Sequence, residues 1–106
     1  VEETAHARVV ANRVFYDFWE ARKVVDHLMV IPRRHVNSLD ELDDAEQLEI
    51  MKLIAKFEAR HYDVYARSPA SGSRSVAHQH THLIKTESKS GRLLFYIRRP
   101  YLLVRL

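Results

Sequence analysis

Three histidines alternate with polar residues in the segment His78-Gln79-His80-Thr81-His82. The chain has 7 histidines in 106 residues, and composition alone would give three at this fixed spacing only about 0.03 times per chain. On a strand, the three imidazoles would project from one face, about 6.5–7 Å apart from one to the next. Each ring nitrogen needs a partner, so three such rings are poor core material. We therefore expect this face to bind an anionic or metallic group.

Three interpretations of this histidine segment differ in their chemistry. A surface run of histidines would have no binding role, but the segment leads into the apolar pair Leu83-Ile84, as a strand would. Three histidines and a water would suit zinc. However, no carboxylate lies next to the histidines in the sequence, and Glu87 is too far along the chain to be assumed as a ligand. The third interpretation is nucleophilic attack on phosphorus by a neutral ring nitrogen. A hydrogen bond to the other nitrogen would fix the tautomer, and nearby donors would hold the phosphate oxygens.

Composition limits the class of protein. A chain of 106 residues with 46% hydrophobic and 29% charged residues is expected to form one domain of ordinary globular type. No cysteine is present, which excludes disulfides, thiolate metal sites and cysteine nucleophiles, and fits a cytoplasmic location. The net charge of +3 favours anionic small molecules and does not by itself indicate nucleic acid. No apolar run approaches the roughly 20 residues of a membrane span. The chain starts at Val1 without Met and ends inside an apolar segment, which predicts a domain trimmed at both ends.

Three strands are predicted before the helix. Residues 8–19 alternate weakly and predict a hairpin whose turn is formed by Asn12-Arg13. Residues 27–31 form a short apolar strand that Pro32 stops. The two-residue period of a strand places His27, Met29 and Ile31 on one face of the sheet and Leu28 and Val30 on the other.

One helix is strongly indicated in the middle of the chain. Ser38 and Glu41 have the spacing of a capping box, and Asp43 with Glu46 offers a second start. Apolar residues then recur at helical spacing at Ile50, Leu53, Ile54 and Phe57, with Ala45, Leu48 and Met51 widening the stripe. We interpret the stripe as packing on the protein's own sheet, with a surface for a partner helix as the alternative.

Further strands are predicted after the helix, at residues 62–67, 76–84 and 93–97, with a loop at 68–75 and a turn at 88–91. Strands on either side of one long helix, without regular βαβ alternation, predict an α+β fold with an antiparallel sheet.

The histidine segment and a second motif resemble one known family. The segment from His78 to Ile84 looks like the signature of the histidine triad (HIT) superfamily of nucleotidyl hydrolases and transferases. Residues His27 to His35 resemble that family's strand of a histidine, apolar residues, proline, a basic pair and a second histidine. The resemblance covers roughly residues 9–84. It implies a HIT-like fold with the sheet continued across a homodimer, and activity without a metal or other cofactor.

The resemblance also implies a role for each histidine. His80 would be the nucleophile that forms a covalent nucleotidyl-histidine, His82 would contact the α-phosphate, and His78 would hold the cluster. His27 matches the family's fourth active-site histidine, with a structural place at the edge of the core as the alternative. Ser75 matches a Ser/Thr position near the scissile phosphate and the leaving group.

The implied reaction is hydrolysis or nucleotidyl transfer at the α-phosphate of nucleoside phosphoramidates, phosphoanhydrides or dinucleoside polyphosphates. The alternatives are a phosphorylase or transferase acting on nucleotide sugars, a non-catalytic nucleotide-binding regulator, and a three-histidine metal site. The expected partners are a nucleotide or other phosphorylated small molecule and a second copy of the chain.

Several positions near the expected substrate depart from the family's pattern. Trp19 stands where many members have an acidic residue for the ribose, which Glu20 or Asp17 could replace after a small shift. Arg67 stands where Asn is frequent, and Arg74 where Gln is common. Two guanidiniums would suit a more anionic substrate, such as a polyphosphate chain or a phosphorylated sugar. The alternative is that both are solvated charges.

Aromatic residues of the opening segment could form the wall of a base pocket. Phe15, Phe18 and Trp19 are candidates for stacking on a base, and core packing is the alternative for each of them.

Overall fold

An antiparallel sheet is the main element of the computed structural model, which describes residues 1–14, 16–72, 74 and 76–87. The strands are β1 (Glu2–Glu3), β2 (Ala7–Ala11), β3 (Phe18–Trp19), β4 (Arg22–Pro32), β5 (Asp63–Tyr65) and β6 (Thr81–Thr86). Their order is β1-β2-β4-β6-β5, with β3 paired to β4 off this path. All of these pairings are antiparallel. The prediction of an α+β fold with an antiparallel sheet is confirmed.

Strand β4 lies between β2 and β6 and decides which side chains face the core. Its buried residues Leu28 and Val30 pair across the sheet with Leu83 and Thr81 of β6. Directly opposite residues in an antiparallel pair share a face. His27, one residue before Leu28, therefore projects from the other face of the sheet, as the alternation of this segment predicts.

The helix α1 (Asp44–Glu58) covers the core face of the sheet. Asp43 caps it by accepting the backbone N–H of Glu46, whose carboxylate accepts the N–H of Asp43 in return. The second predicted start is thus the start of the helix, and Ser38 instead precedes a short 3₁₀ turn, Leu39–Glu41. No helix in the described part of the chain is long and apolar enough to cross a membrane.

The apolar stripe of α1 packs on the protein's own sheet, but it is narrower than predicted. Buried Ile50, Leu53 and Phe57 join the core with residues of β2, β4 and β6. Leu48 and Met51 are 56% and 61% exposed. Their positions on the helix turn them away from the sheet, so they do not widen the buried stripe.

The prediction that residues 8–19 pair with each other as one hairpin is wrong, although the chain does turn at residues 13–14, next to the predicted position. Strand β3 pairs with β4, not with β2, and the hairpin turn consists of Glu20 and Ala21. Both have positive φ, 51° and 60°, which are the values that a two-residue turn of this hand requires. Asn12 instead accepts the backbone N–H of Val14 with its side-chain oxygen, a local contact that turns the chain after β2.

Strand β6 begins at Thr81, five residues later than predicted. His78 and His80 consequently precede the strand, so the expectation of three histidines alternating on one strand is wrong. The backbone N–H of Gln79 donates to the carbonyl of Val36 at 2.7 Å instead of joining a β-ladder. The predicted turn at 88–91 and strand at 93–97 lie outside the described residues.

Candidate active site

Two histidines from neighbouring strands share a hydrogen bond. His27 of β4 and His82 of β6 lie on the same face, with 2.8 Å between His27 Nε2 and His82 Nδ1. The backbone N–H of Tyr16 donates to His27 Nδ1 at 3.1 Å. Since an amide N–H only donates, a neutral His27 carries its hydrogen on Nε2 and donates it to His82 Nδ1. The longer approach of the Asn12 side-chain nitrogen to the same Nε2, at 3.3 Å, is then not a hydrogen bond. A neutral His82 therefore carries its hydrogen on Nε2, where it can donate to a further group.

The other two histidines of the motif lie on the loop before β6. Nδ1 of His80 is 2.9 Å from the carbonyl oxygen of His78. A carbonyl only accepts, so His80 Nδ1 carries a hydrogen, and in the neutral form of the ring the lone pair is on Nε2. The His80 ring lies 5.0 Å from the His82 ring. His78 itself donates from Nε2 to the Pro32 carbonyl at 3.1 Å and packs against the ring of His35.

Burial favours the neutral form of three of these rings. It lowers the pKa of His82 to about 4, and nearby positive charges that include Arg67 act in the same direction. The pKa of His27 is also lowered, mainly by burial, and the negative charge of Asp26 opposes this. Burial likewise lowers the pKa of His78. Neutral rings keep the lone pairs that nucleophilic attack or proton transfer needs.

Two aromatic side chains pack against His82, and a third joins them. Tyr16, Trp19, Tyr65 and His82 form a closed cycle, with successive ring centroids 6.1, 4.9, 5.5 and 5.7 Å apart. Tyr16 also packs on the His27 ring at 4.7 Å. Sequence reasoning missed Tyr16 and Tyr65. Tyr65 reaches the site because β5 pairs with β6 and places it opposite His82, which the sequence pattern does not reveal.

Trp19, at the position where the ribose-binding acid was expected, takes part in this cycle. Its Nε1–H donates to the carboxylate of Asp63 at 3.1 Å. Glu20 occupies the β3–β4 turn, and Asp17 is exposed just before β3. A ribose contact by either acid, and a base contact by Trp19, stay predictions.

The two candidate arginines differ in their surroundings. The guanidinium carbon of Arg67 lies 5.3 Å from the centre of the Tyr65 ring, beside the histidine cluster. Arg74 donates to three carbonyl oxygens, those of Asn37 at 2.7 Å, Val76 at 3.0 Å and Ala77 at 2.8 Å. These bonds hold the loop before the histidines to the segment after β4, and a substrate contact by Arg74 stays a prediction. Ser75 and Phe15 lie outside the described residues.

A small, mainly apolar cavity of about 120 Å³ lies beside the nucleophile candidate. It is lined by Met29, Ile31, Val76, His78, Gln79 and His80. Within the described ranges, no group of three or more His, Asp or Glu side chains has an arrangement that could hold a metal ion. The geometry of these residues therefore gives the three-histidine metal interpretation no support.

The fold and the histidine cluster together define a protein of the histidine triad class. The family model described as HIT domain matches residues 20–89, which is more than half of the chain. The chain belongs to the HIT domain family. No curated protein matches it.

Solved structures share this fold. The chain is similar to a hypothetical protein from Leishmania major, with 23% identity and a TM-score of 0.64 over 100% of this chain and 73% of the other. It is similar to a histidine triad protein from Clostridium difficile, with 22% identity and a TM-score of 0.62 over 92% and 83% of the two chains. It is also similar to a HIT family hydrolase from Legionella pneumophila Philadelphia 1, with 16% identity and a TM-score of 0.56 over 85% of this chain and 80% of the other. Similarity at these identities shows the fold alone.

Proposed function

We propose that this protein is a nucleotide hydrolase or nucleotidyl transferase in which His80 attacks the α-phosphorus of its substrate. The observation that carries the proposal is the bond from His80 Nδ1 to the His78 carbonyl. It fixes the tautomer in which Nε2 is the free nucleophile, and it compensates the positive charge that the ring acquires when it forms a bond to phosphorus. Membership of the HIT domain family supports the same assignment.

The pair His27–His82 supplies a hydrogen-bond donor next to this nucleophile. The chain of bonds from the Tyr16 N–H through His27 leaves a hydrogen on His82 Nε2. We assign that N–H to an oxygen of the α-phosphate, where it would stabilise developing negative charge. His27 acts through His82 and is a positioning residue, and His78 positions His80 through its carbonyl.

The reaction proceeds in two displacements. His80 Nε2 forms a bond to the α-phosphorus while the bond to the leaving group breaks, and the leaving amine, phosphate or nucleotide departs with the electron pair and takes up a proton. Water, or an acceptor in a transferase, then attacks the phosphorus, breaks the P–N bond and restores the free imidazole. Ser75 is proposed to donate to the phosphate near the leaving group, and Phe15 with Trp19 to contact the base.

A homodimer belongs to the same proposal. In the described part of the chain, β5 is the outer strand of the sheet next to β6. An outer strand offers unpaired backbone groups to which a second copy could add its own strand. Its residues lie next to the aromatic cycle around His82, so a dimer formed there would border the active site.

The test is chromatographic detection of nucleoside monophosphate. Wild type, His80→Asn and the matched control His61→Asn are incubated with adenosine and guanosine phosphoramidates and dinucleoside polyphosphates, with and without a chelator. His61 is an exposed histidine with φ 73°, and Asn tolerates that backbone conformation. We expect product from wild type and the control, none from His80→Asn, and no effect of the chelator.

Each contrary outcome points to a different alternative. Product formation by His80→Asn would contradict the covalent mechanism. Loss of activity on chelation would favour a metal-dependent hydrolase. Nucleotide binding without turnover of any substrate would favour the non-catalytic regulator.

A further inference from the structure

The register of β5 on β6 brings a permanent positive charge to the histidine cluster. Tyr65 pairs with His82, and their rings are 5.5 Å apart. Two residues further on, the guanidinium carbon of Arg67 lies 5.3 Å from the centre of the Tyr65 ring. The Tyr65 ring therefore supports the guanidinium at the edge of the cluster, where its positive charge acts on His82.

No acid among the described residues takes up the hydrogen-bonding capacity of Arg67. Among the described residues, ion pairs are formed by Arg33, Arg34 and Lys56, and none involves Arg67. Arg74, by contrast, has its guanidinium committed to three carbonyl oxygens. A guanidinium has five N–H donors in a planar arrangement that matches two phosphate oxygens. The guanidinium of Arg67 is half-buried and has no acid partner among the described residues, so it is suited to bind an anion from solution.

The groups in contact with His82 on this surface are uncharged rings, and the exposed carboxylate of Asp63 lies on the same strand as Tyr65. The rings of Tyr16 and Tyr65 pack against His82, and Trp19 packs against Tyr65. The pKa of His82 is lowered to about 4, so the imidazole is neutral near neutral pH. The carboxylate of Asp63 on the same strand already accepts the Trp19 indole N–H. Arg67 thus provides a fixed positive charge beside aromatic rings and a neutral imidazole, and its N–H groups can form charge-assisted bonds to phosphate, which are stronger than neutral ones.

We propose that Arg67 determines specificity by binding a second phosphate of the substrate, next to the one that His80 attacks. The substrate class is then a phosphoanhydride chain, as in dinucleoside polyphosphates, rather than a nucleoside phosphoramidate with a single phosphate. This inference rests on the proposed function. It goes further in naming the substrate and the residue that selects it.

The test compares two substrates in Arg67→Gln and in a matched control, Arg60→Gln. Arg60 at the end of α1 is exposed and also lies over an aromatic ring, with 5.1 Å to the centre of Phe57, away from the histidines. We expect Arg67→Gln to lower kcat/KM for diadenosine triphosphate by about 10- to 100-fold. For adenosine phosphoramidate the change should stay within about 3-fold, and Arg60→Gln should leave both substrates nearly unchanged. Equal losses on both substrates, or no loss on either, would overturn the inference.

A binding measurement separates this inference from the proposed function. The chain has one tryptophan, and Trp19 lies 4.9 Å from the Tyr65 ring that supports Arg67. Its fluorescence can follow titration with inorganic tripolyphosphate and with phosphate, neither of which requires turnover. Tripolyphosphate should bind wild type and Arg60→Gln at least about 10-fold more tightly than Arg67→Gln.

The two measurements together distinguish the possible failures. Arg67-dependent binding of tripolyphosphate without turnover of any nucleotide would contradict the proposed function and leave the anion site intact. Turnover by wild type, with tripolyphosphate binding that is the same in both variants, would overturn the role of Arg67 and leave the proposed function intact. As a control, the Tm of Arg67→Gln is compared with that of wild type, and equal values verify that the variant is folded.

Discussion

Acid should destabilise this protein below about pH 6.5, because folding buries His82 as a neutral ring. Its pKa falls from 6.5 to about 4 on folding. The unfolded chain therefore binds a proton at this histidine between those two values and the folded protein does not. The contribution to the free energy of unfolding is fully present above 6.5 and is lost as the pH falls towards 4.

The size of the effect follows from these two pKa values. Integration between about pH 7.5 and about pH 5 gives a loss of about 2 kcal/mol from His82 alone. His27, whose pKa is also lowered by burial, adds to the loss in the same range. The carboxylates with lowered pKa values change the free energy of unfolding mainly below pH 4.5. The range from about pH 7.5 to about pH 5 therefore reports on the histidines.

The assay is urea unfolding at a series of pH values, followed by the fluorescence of Trp19. His82→Asn removes the titrating ring but leaves a side-chain oxygen that can accept His27 Nε2–H. The free energy of unfolding of this variant should vary by about 2 kcal/mol less than that of wild type over the window. The control His61→Asn replaces an exposed histidine and should keep the wild-type pH dependence. An unchanged pH dependence in His82→Asn would refute the reasoning.

Two further predictions concern the stability of the fold. Phe57 is 1% exposed and packs edge-on against Tyr62, so Phe57→Ala should lower the free energy of unfolding by about 3–5 kcal/mol. Met51→Ala, at an exposed position of the same helix, should change it by less than about 0.5 kcal/mol in the same urea assay, and equal losses would contradict the assigned core. The pKa of Glu46 is lowered to about 2 from 4.5 by its hydrogen bonds to Arg34 and to the backbone of the helix cap. This contribution to stability is present above 4.5 and lost as the pH falls towards 2, so Glu46→Gln should lower Tm at neutral pH and make Tm less dependent on pH in that range. Circular dichroism measures both, and a Tm equal to that of wild type at neutral pH would contradict this role.

Local patterns in the sequence were sufficient for the elements whose determinants lie within a few residues. The capping pair Asp43 and Glu46 and the apolar spacing through Phe57 predicted the helix and its buried face. The alternation around Leu28 predicted which side of β4 faces the core and which side carries His27. These predictions succeeded because helix capping and side-chain periodicity are properties of consecutive residues.

The candidate site was only partly predictable, because tertiary contacts decide what surrounds the histidines. The sequence indicated His78, His80 and His82, and the similarity to the family's motif added His27. The hydrogen bond between His27 and His82 exists because β4 and β6, which are separated by the helix, pair in one particular register. No spacing along the chain specifies that register.

Tertiary contacts also distinguish Arg67 from Arg74, which in the sequence are two equivalent departures from the family's pattern. The fold directs Arg74 to three backbone carbonyls and leaves Arg67 on the Tyr65 ring beside His82. The sequence by itself determined the class of protein, the position of the helix and the histidines available for chemistry. Only the tertiary structure decided the tautomers of His27 and His82 and the arginine that stands beside them, because both depend on which distant donor meets which acceptor.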